Sequence, residues 1–284
     1  CKFFDVMTAK YTLKPTGKRK YHRSSTMSKA EVMMIMILFH TSGYRCFKHF
    51  YLEKVCKHLR HLFPNVVSYN RLVELEREVA VPLTLFIKKV LLGKCTGISF
   101  ADCTPLRVCK NQRIHIHKVF KGIAQRGKCS MGWFFGFKLH LICNEKGELL
   151  NFMITPGDVD DRKPLEYEAF IEFIHGKLFG DKGYISKNLF QRLFVDGIQL
   201  ITKLKSNMKG ALMSVSDRLL LRKRAIIETV NDELKNIAQV EYSRHRCFDN
   251  FIVNLLGAIA AYCLFPKKPC INLQRTIDTQ LALF

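Results

Sequence analysis

The sequence has no CxxC pair, no long apolar run, no internal repeat, no low-complexity tract and few acidic side chains. Each absence removes a class of protein. Eleven cysteines, an odd number, are scattered at 1, 46, 56, 95, 103, 109, 129, 143, 247, 263 and 270. That scatter fits a reducing compartment and not a disulfide framework. The longest apolar run, 251–265, is interrupted by Asn254 and Gly257 and stops at Pro266, too short to cross a bilayer. The first thirty residues carry basic and hydroxyl side chains where a secretory leader needs an apolar stretch and a small-residue cleavage site. A cytoplasmic location is therefore expected, although Cys1 occupies the place of an initiator Met and leaves open whether the N-terminus is complete. Asp and Glu number 24 against 46 Lys and Arg, a net charge of +22. That excess points to a polyanion, nucleic acid first and an acidic membrane surface second, over a small neutral substrate.

What remains is a chain of 284 residues, 48% hydrophobic, able to bury the core of one or two globular domains. Disorder, collagen and coiled coil are excluded by composition. Charge is uneven: residues 1–95 carry a net +12, 96–180 a net +3 and 181–284 a net +7. The basic first third reads as helical. Ser28 with Glu31 forms a capping-box signal ahead of Val32, Met33 and Ile35, and Gly43 supplies a stop. A second helix is expected over 45–60, ended by Phe63-Pro64-Asn65, and a third capped by Ser68, with Pro82 breaking or kinking it. Two readings stand level: helix-turn-helix contact with DNA, or a small bundle serving as packing or dimer surface.

From Gly97 the pattern changes. Residues 97–102 read as a buried strand ending on Asp102, and 133–143 and 149–155 as a hairpin around the turn 144–147. A helix over 163–175, a short strand ending before Asp181, a helix over 186–195 and a strand over 198–204 follow. Two long helices over 216–239 and 249–264 end the series. This order describes an α/β fold, a mixed sheet with helices on its faces. The expected organisation is a basic helical domain over 1–95, a catalytic domain over 96–266 and a C-terminal tail over 267–284.

Two acids, Asp102 and Asp181, each end a strand. An unpaired charge is costly there unless a cation compensates it. Singly, each reads as a strand-end or turn acid; together they suggest a site for hard cations. Glu228 is the third candidate. Arg224 lies four residues before it and Lys235 seven after, so the three share one helical face, with Leu219, Ile226, Val230, Leu234 and Ile237 projecting to the other side. A solvated ion-paired face would give the same spacing. Between 103 and 129 there are seven basic residues, including Arg107, Lys110, Arg113, Lys118 and Lys121, and no acid, a pattern that suits a phosphate backbone or a solvated basic loop. Asp158, Asp160 and Asp161 read first as a turn biasing a helix N-terminus. Lys138 and His140 share a strand face and are directed toward the same cleft, the histidine in a structural role. A zinc site from Cys103, Cys109, His115, His117 and Cys129 is conceivable, with buried or incidental thiols the alternative.

The order Asp102, Asp181 within GDKGY, and Glu228 within RKRAIIETVNDELK resembles the DDE transposases of bacterial insertion sequences. Many of these place the last acid in a signature of Tyr, two residues, Arg, three residues, Glu, six residues, Lys. Arg224, Glu228 and Lys235 match it, and Leu221 stands in the Tyr position. FGFKLHLICN and TPGDVDDRKP also look like segments of compact members, and the similarity runs from about residue 25 to 265. The resemblance implies an RNase H-like catalytic domain holding two Mg²⁺ or Mn²⁺ ions on Asp102, Asp181 and Glu228. It further implies cleavage and joining of DNA at the element's terminal inverted repeats, by a homodimer on DNA in the nucleoid. Arg224, Lys235, Arg107, Lys110, Arg113, Lys118, Lys121 and Lys182 would contact DNA. The 46 residues between Asp181 and Glu228 leave no room for a large insertion domain. The alternatives are a nuclease of the same fold that never joins DNA, and a DNA-binding protein that has lost catalysis.

Overall fold

The computed structural model describes residues 25–203, 213–241 and 245–272. Cys1, Leu204 and the tail beyond 272 lie outside the described residues. No helix among the described residues is long and apolar enough to cross a membrane.

The chain forms two compact units. The first joins the described residues up to Leu91 to Asn236–Leu264. Its helices are α1 (Lys29–Thr41), α2 (Phe47–His49, widening into π-type turns over Phe50–His58), α3 (Tyr69–Glu76), α4 (Ala80–Phe86) and, from the far end of the sequence, α9 (Phe248–Cys263). Ser28 and Glu31 form the expected reciprocal cap of α1, and Ser68 caps α3. Helix α9 is apolar on nearly every side and is buried from Phe251 to Tyr262 apart from a half-buried Ile252, as an all-round hydrophobic helix must be. It packs on α1 and α4. Gly257 permits the approach: a Cβ there would stand 3.2 Å from His40 Cδ2 and 3.3 Å from Met36 O.

The second unit joins Leu92–Lys235 to the described residues after Leu264. Its strands are β1 (Ile98–Cys109), β2 (Gln125–Cys129), β3 (Gly132–Asn144), β4 (Leu149–Pro156), β5 (Gly176–Gly180) and β6 (Ile198–Thr202), with helices α5 (Glu168–Ile171), α6 (Lys187–Val195), α7 (Val215–Arg222) and α8 (Ala225–Asn236). The sheet order is β2-β3-β1-β5-β6, with β4 paired to the other half of the β3 edge that β2 occupies. β3 runs antiparallel to β1, while β5 and β6 run parallel to it. This is the mixed, helix-flanked sheet of an RNase H-like fold. On one face Ala101, Ile142, Leu150, Leu178 and Leu200 form a continuous core with the α6 residues Leu189 and Leu193.

Besides the helix expected over 163–175, which is a 3₁₀ turn over Lys163–Glu166 followed by the short α5, three sequence expectations differ from the structure. The boundaries expected at 95 and 266 do not follow the compact units, because α9 closes the helical unit and residues after Leu264 return to the sheet unit. β1 does not end at Asp102 but continues to Cys109, since β3 pairs with it throughout while β5 lets go after Phe100. The single helix expected over 216–239 is two, broken at Lys223-Arg224. The break re-aims the apolar stripe before it: Leu220 and Leu221 are buried in place of the half-buried Leu219, while Ile226, Val230 and Leu234 are buried as expected and Ile237, past the end of α8, is 52% exposed.

Candidate active site

The sheet splits where the acids stand. In the parallel register Phe100 lies beside Phe179, their rings stacked 5.4 Å apart. Asp102 is two residues beyond the first phenylalanine and Asp181 two beyond the second. Side chains alternate along a strand, so this register brings both carboxylates to one face at the point where β1 and β5 separate. Asp102 is half-buried on β1; Asp181, extended at φ −76° and ψ 171°, leads into a short turn over Lys182–Tyr184.

Helix α8 supplies the third acid, and the residue preceding that helix supplies the cation that gathers the group. Arg224 Nη2 lies 2.7 Å from Glu228 Oε1 and 3.9 Å from Asp181 Oδ1. The guanidinium is 17% exposed, whereas the Asp181 and Glu228 side chains are 56% and 58% exposed. Burial pushes the Asp102 carboxyl up to about 6; Arg224 opposes the shift, and the negative charges of Glu228 and Asp181 add to it. The three carboxylates therefore act on one another and on a single arginine. All offer hard oxygen donors, two of them open to solvent, and one guanidinium balances only part of their charge. Such a donor set suits Mg²⁺ or Mn²⁺.

A neutral amide that sequence reasoning missed fixes the most buried acid. Asn231 Nδ2 donates to Asp102 Oδ2 at 3.0 Å, and Asn231 is buried with its own Oδ1 unpartnered. The signal was present as spacing: Asn231 follows Glu228 by three residues, so the two lie on adjoining strips of α8. Lys235, one further turn on, is half-buried.

The other nominated residues are placed as follows. Arg107, Lys110, Arg113, Lys118, Lys121 and Lys182 are all exposed. The basic segment is not one loop: it comprises the end of β1, a short 3₁₀ turn over Asn111–Ile116 and the added strand β2. There Arg126 and Lys128 lie over the exposed Trp133 ring, 5.9 and 6.0 Å from its centroid. Asp160 pairs with Arg162 at 2.6 Å and Asp161 with Lys138 at 2.7 Å, so two of the three acids of the 158–161 turn already have basic partners. Cys103 lies across the ladder from His140, whereas Cys109 faces Phe135 and Cys129 faces Gly132; the five-residue zinc set does not assemble.

A family model described as Transposase DDE domain matches residues 92–248, more than half of the chain. The chain belongs to that family. The match covers the sheet, α7 and α8, hence every residue of the site above. No curated protein matches the chain. Among solved structures, this DDE domain protein is similar to a piggyBac transposase in a synaptic complex with hairpin DNA, at 12% identity over 74% of this chain and 48% of that one, with a TM-score of 0.40. It is also similar to the Mos1 strand transfer complex, at 10% identity over 91% of this chain and 82% of that one, with a TM-score of 0.25. The chain thus spans about half the length of the piggyBac transposase chain.

The raised Asp102 carboxyl carries a pH prediction. A protonated carboxyl is a poor metal ligand, so Mn²⁺ affinity at this site should rise as pH increases through about 6 and level off above it. Calorimetric titration at pH 5 and 7.5 should show it, and equal affinity at both would remove Asp102 from the ligand set.

Proposed function

We propose that this protein cuts and joins DNA at the terminal inverted repeats of a bacterial insertion sequence, acting as a homodimer on DNA. Asp102, Asp181 and Glu228 are the residues that would hold two Mg²⁺ or Mn²⁺ ions. The single observation that carries the reading is the convergence of these three acids, from β1, the end of β5 and α8, on Arg224, with Asp102 feeling all three charges. Bound divalent ions would supply activation of the attacking oxygen and stabilisation of the leaving one.

The chain's own residues do the rest. Asn231 holds the Asp102 carboxylate in one orientation. Arg224 would offer a planar fork to a phosphate, and Lys235 a point charge. Arg107, Lys110, Arg113, Lys118, Lys121 and Lys182 neutralise the phosphate backbone and leave the bases unread. The basic helices bind the end sequence or a second protomer.

The experiment is an end-joining assay. The protein is mixed with a duplex carrying the element's end and a free 3′-hydroxyl, a supercoiled plasmid, and Mg²⁺ or Mn²⁺. Insertion of the duplex into the plasmid is expected. Cutting of an uncut end without joining would reassign the protein as a nuclease, and binding without either reaction would reassign it as a DNA-binding protein that has lost catalysis.

The backbone contacts also set a salt dependence. Each neutralised phosphate contributes about 0.9 to the slope of log K against log salt. K118A combined with K121A should therefore flatten that slope by about 2 and weaken all sequences alike. A change in sequence preference with no change in slope would show that these lysines read bases.

A further inference from the structure

On the strand that carries Asp102, the next residue faces the other way and belongs to a separate group. Cys103 of β1 lies directly opposite His140 of β3. Asp161, from the turn after β4, completes the set: one ligand atom from each of Cys103, His140 and Asp161 lies within 4.8 Å of the other two. The histidine is 2% exposed. Its Nε2 stands 2.8 Å from Thr155 Oγ1, while Nδ1 is buried with no hydrogen-bond partner. A buried polar atom left unpaired costs about 1–3 kcal/mol. If Nε2–H donates to Thr155, Nδ1 carries a bare lone pair. A ring fixed through one nitrogen with the other left open is the arrangement that metal-ligating histidines adopt.

We propose that Cys103, His140 and Asp161 form a binding site for a borderline-soft divalent cation, Zn²⁺ by the chemistry of the donors, distinct from the hard-cation site of Asp102, Asp181 and Glu228. One sulfur, one imidazole nitrogen and one carboxylate oxygen are three of the four ligands of a tetrahedral zinc, and the fourth place is left for water. Lys138 positions the carboxylate. Its ammonium donates to Asp161 Oδ1 and to Val159 O, both at 2.7 Å, and the Cys103 thiol also hydrogen-bonds the Asp161 side chain. The thiolate and carboxylate charges offset the ion's. On binding, the Cys103 S–H bond breaks and its proton passes to solvent, so uptake of the ion releases one proton. A cavity of about 400 Å³, whose lining includes Arg126, Lys128, Lys138, Asp160 and Asp161, reaches the Asp161 side of the group. Once bound, it ties the 157–161 turn to β1 and β3.

The inference is independent of the DNA-joining reading. Protein purified without chelator should retain about one equivalent of zinc. Co²⁺ in its place should give the near-ultraviolet charge-transfer absorption of a cobalt–thiolate bond. C103S should abolish that absorption and weaken Co²⁺ binding at least about 100-fold, more than the loss of an outer-shell partner costs. D161N, at a half-exposed position, should weaken it about tenfold or more. D181N should leave the cobalt–thiolate absorption, and the affinity titrated through it, unchanged, because Asp181 belongs to the other site. Circular dichroism checks that each variant is folded. Retention of the cobalt–thiolate band in C103S, or unchanged affinity in a folded D161N, overturns the proposal.

Discussion

Asp102→Asn is expected to lower metal-dependent strand cleavage about 10³-fold while DNA binding changes less than about threefold. Metal stabilisation of transition-state charge is worth several kcal/mol, and each 1.36 kcal/mol is tenfold in rate. The amide keeps the shape and can still meet Asn231 Nδ2 through its oxygen, so the sheet should tolerate the change. What it loses is the charge that is half-buried at the split between β1 and β5. D181N and E228Q should behave alike, and the three should not be additive, because each alone disassembles one cation site. Single-turnover cleavage of a labelled end, with binding followed by gel shift, separates the two effects. Cleavage in D102N within tenfold of the parent would end the assignment.

Glu76→Gln is expected to stabilise the helical unit by a few kcal/mol at pH 9 and to do almost nothing at pH 4. Glu76 is 4% exposed at the end of α3, where Asn250 donates to its Oε2 at 2.5 Å and its Oε1 has no partner. Burial pushes its carboxyl from 4.5 to about 8, against weaker opposing effects of Asn250 and Arg77. Between those two values the folded chain holds a proton that the unfolded chain has released. Stability from this group is therefore full below pH 4.5, falls as pH rises, and levels off above about 8. Glutamine imitates the protonated acid at every pH, so the variant's melting temperature should lose this slope. Parallel pH profiles for variant and parent would show that Glu76 ionises without cost.

Much of this was written in local sequence. The capping pair Ser28 and Glu31, the hairpin turn at 144–147 and the largely apolar character of 251–265 each depend on neighbours in the chain, and each element forms where its residues indicate. The acids were legible for a related reason: a charge on an apolar strand has few explanations. Their mutual approach was not legible, because it depends on the Phe100–Phe179 register between strands far apart in sequence. The continuation of β1 past Asp102 was hidden because pairing with β3 overrides the poor strand propensity of Asp and of Pro105. Asn231 was overlooked because an amide carries no charge signal, although its role exists only through the fold.

The order in which the two units emerge during synthesis follows from the position of α9. The first four helices leave the ribosome early, yet the segment that covers them, Asn236–Leu264, follows only after the whole sheet has been made. At translation rates of about 5–20 residues per second, the nascent helices wait on the order of ten seconds or more with apolar flanks such as that of α1 uncovered. A ribosome-bound chaperone would find its natural client in that interval, and a stop codon between α8 and α9 would leave the helical unit uncovered and the sheet unit without the segment that follows Leu264.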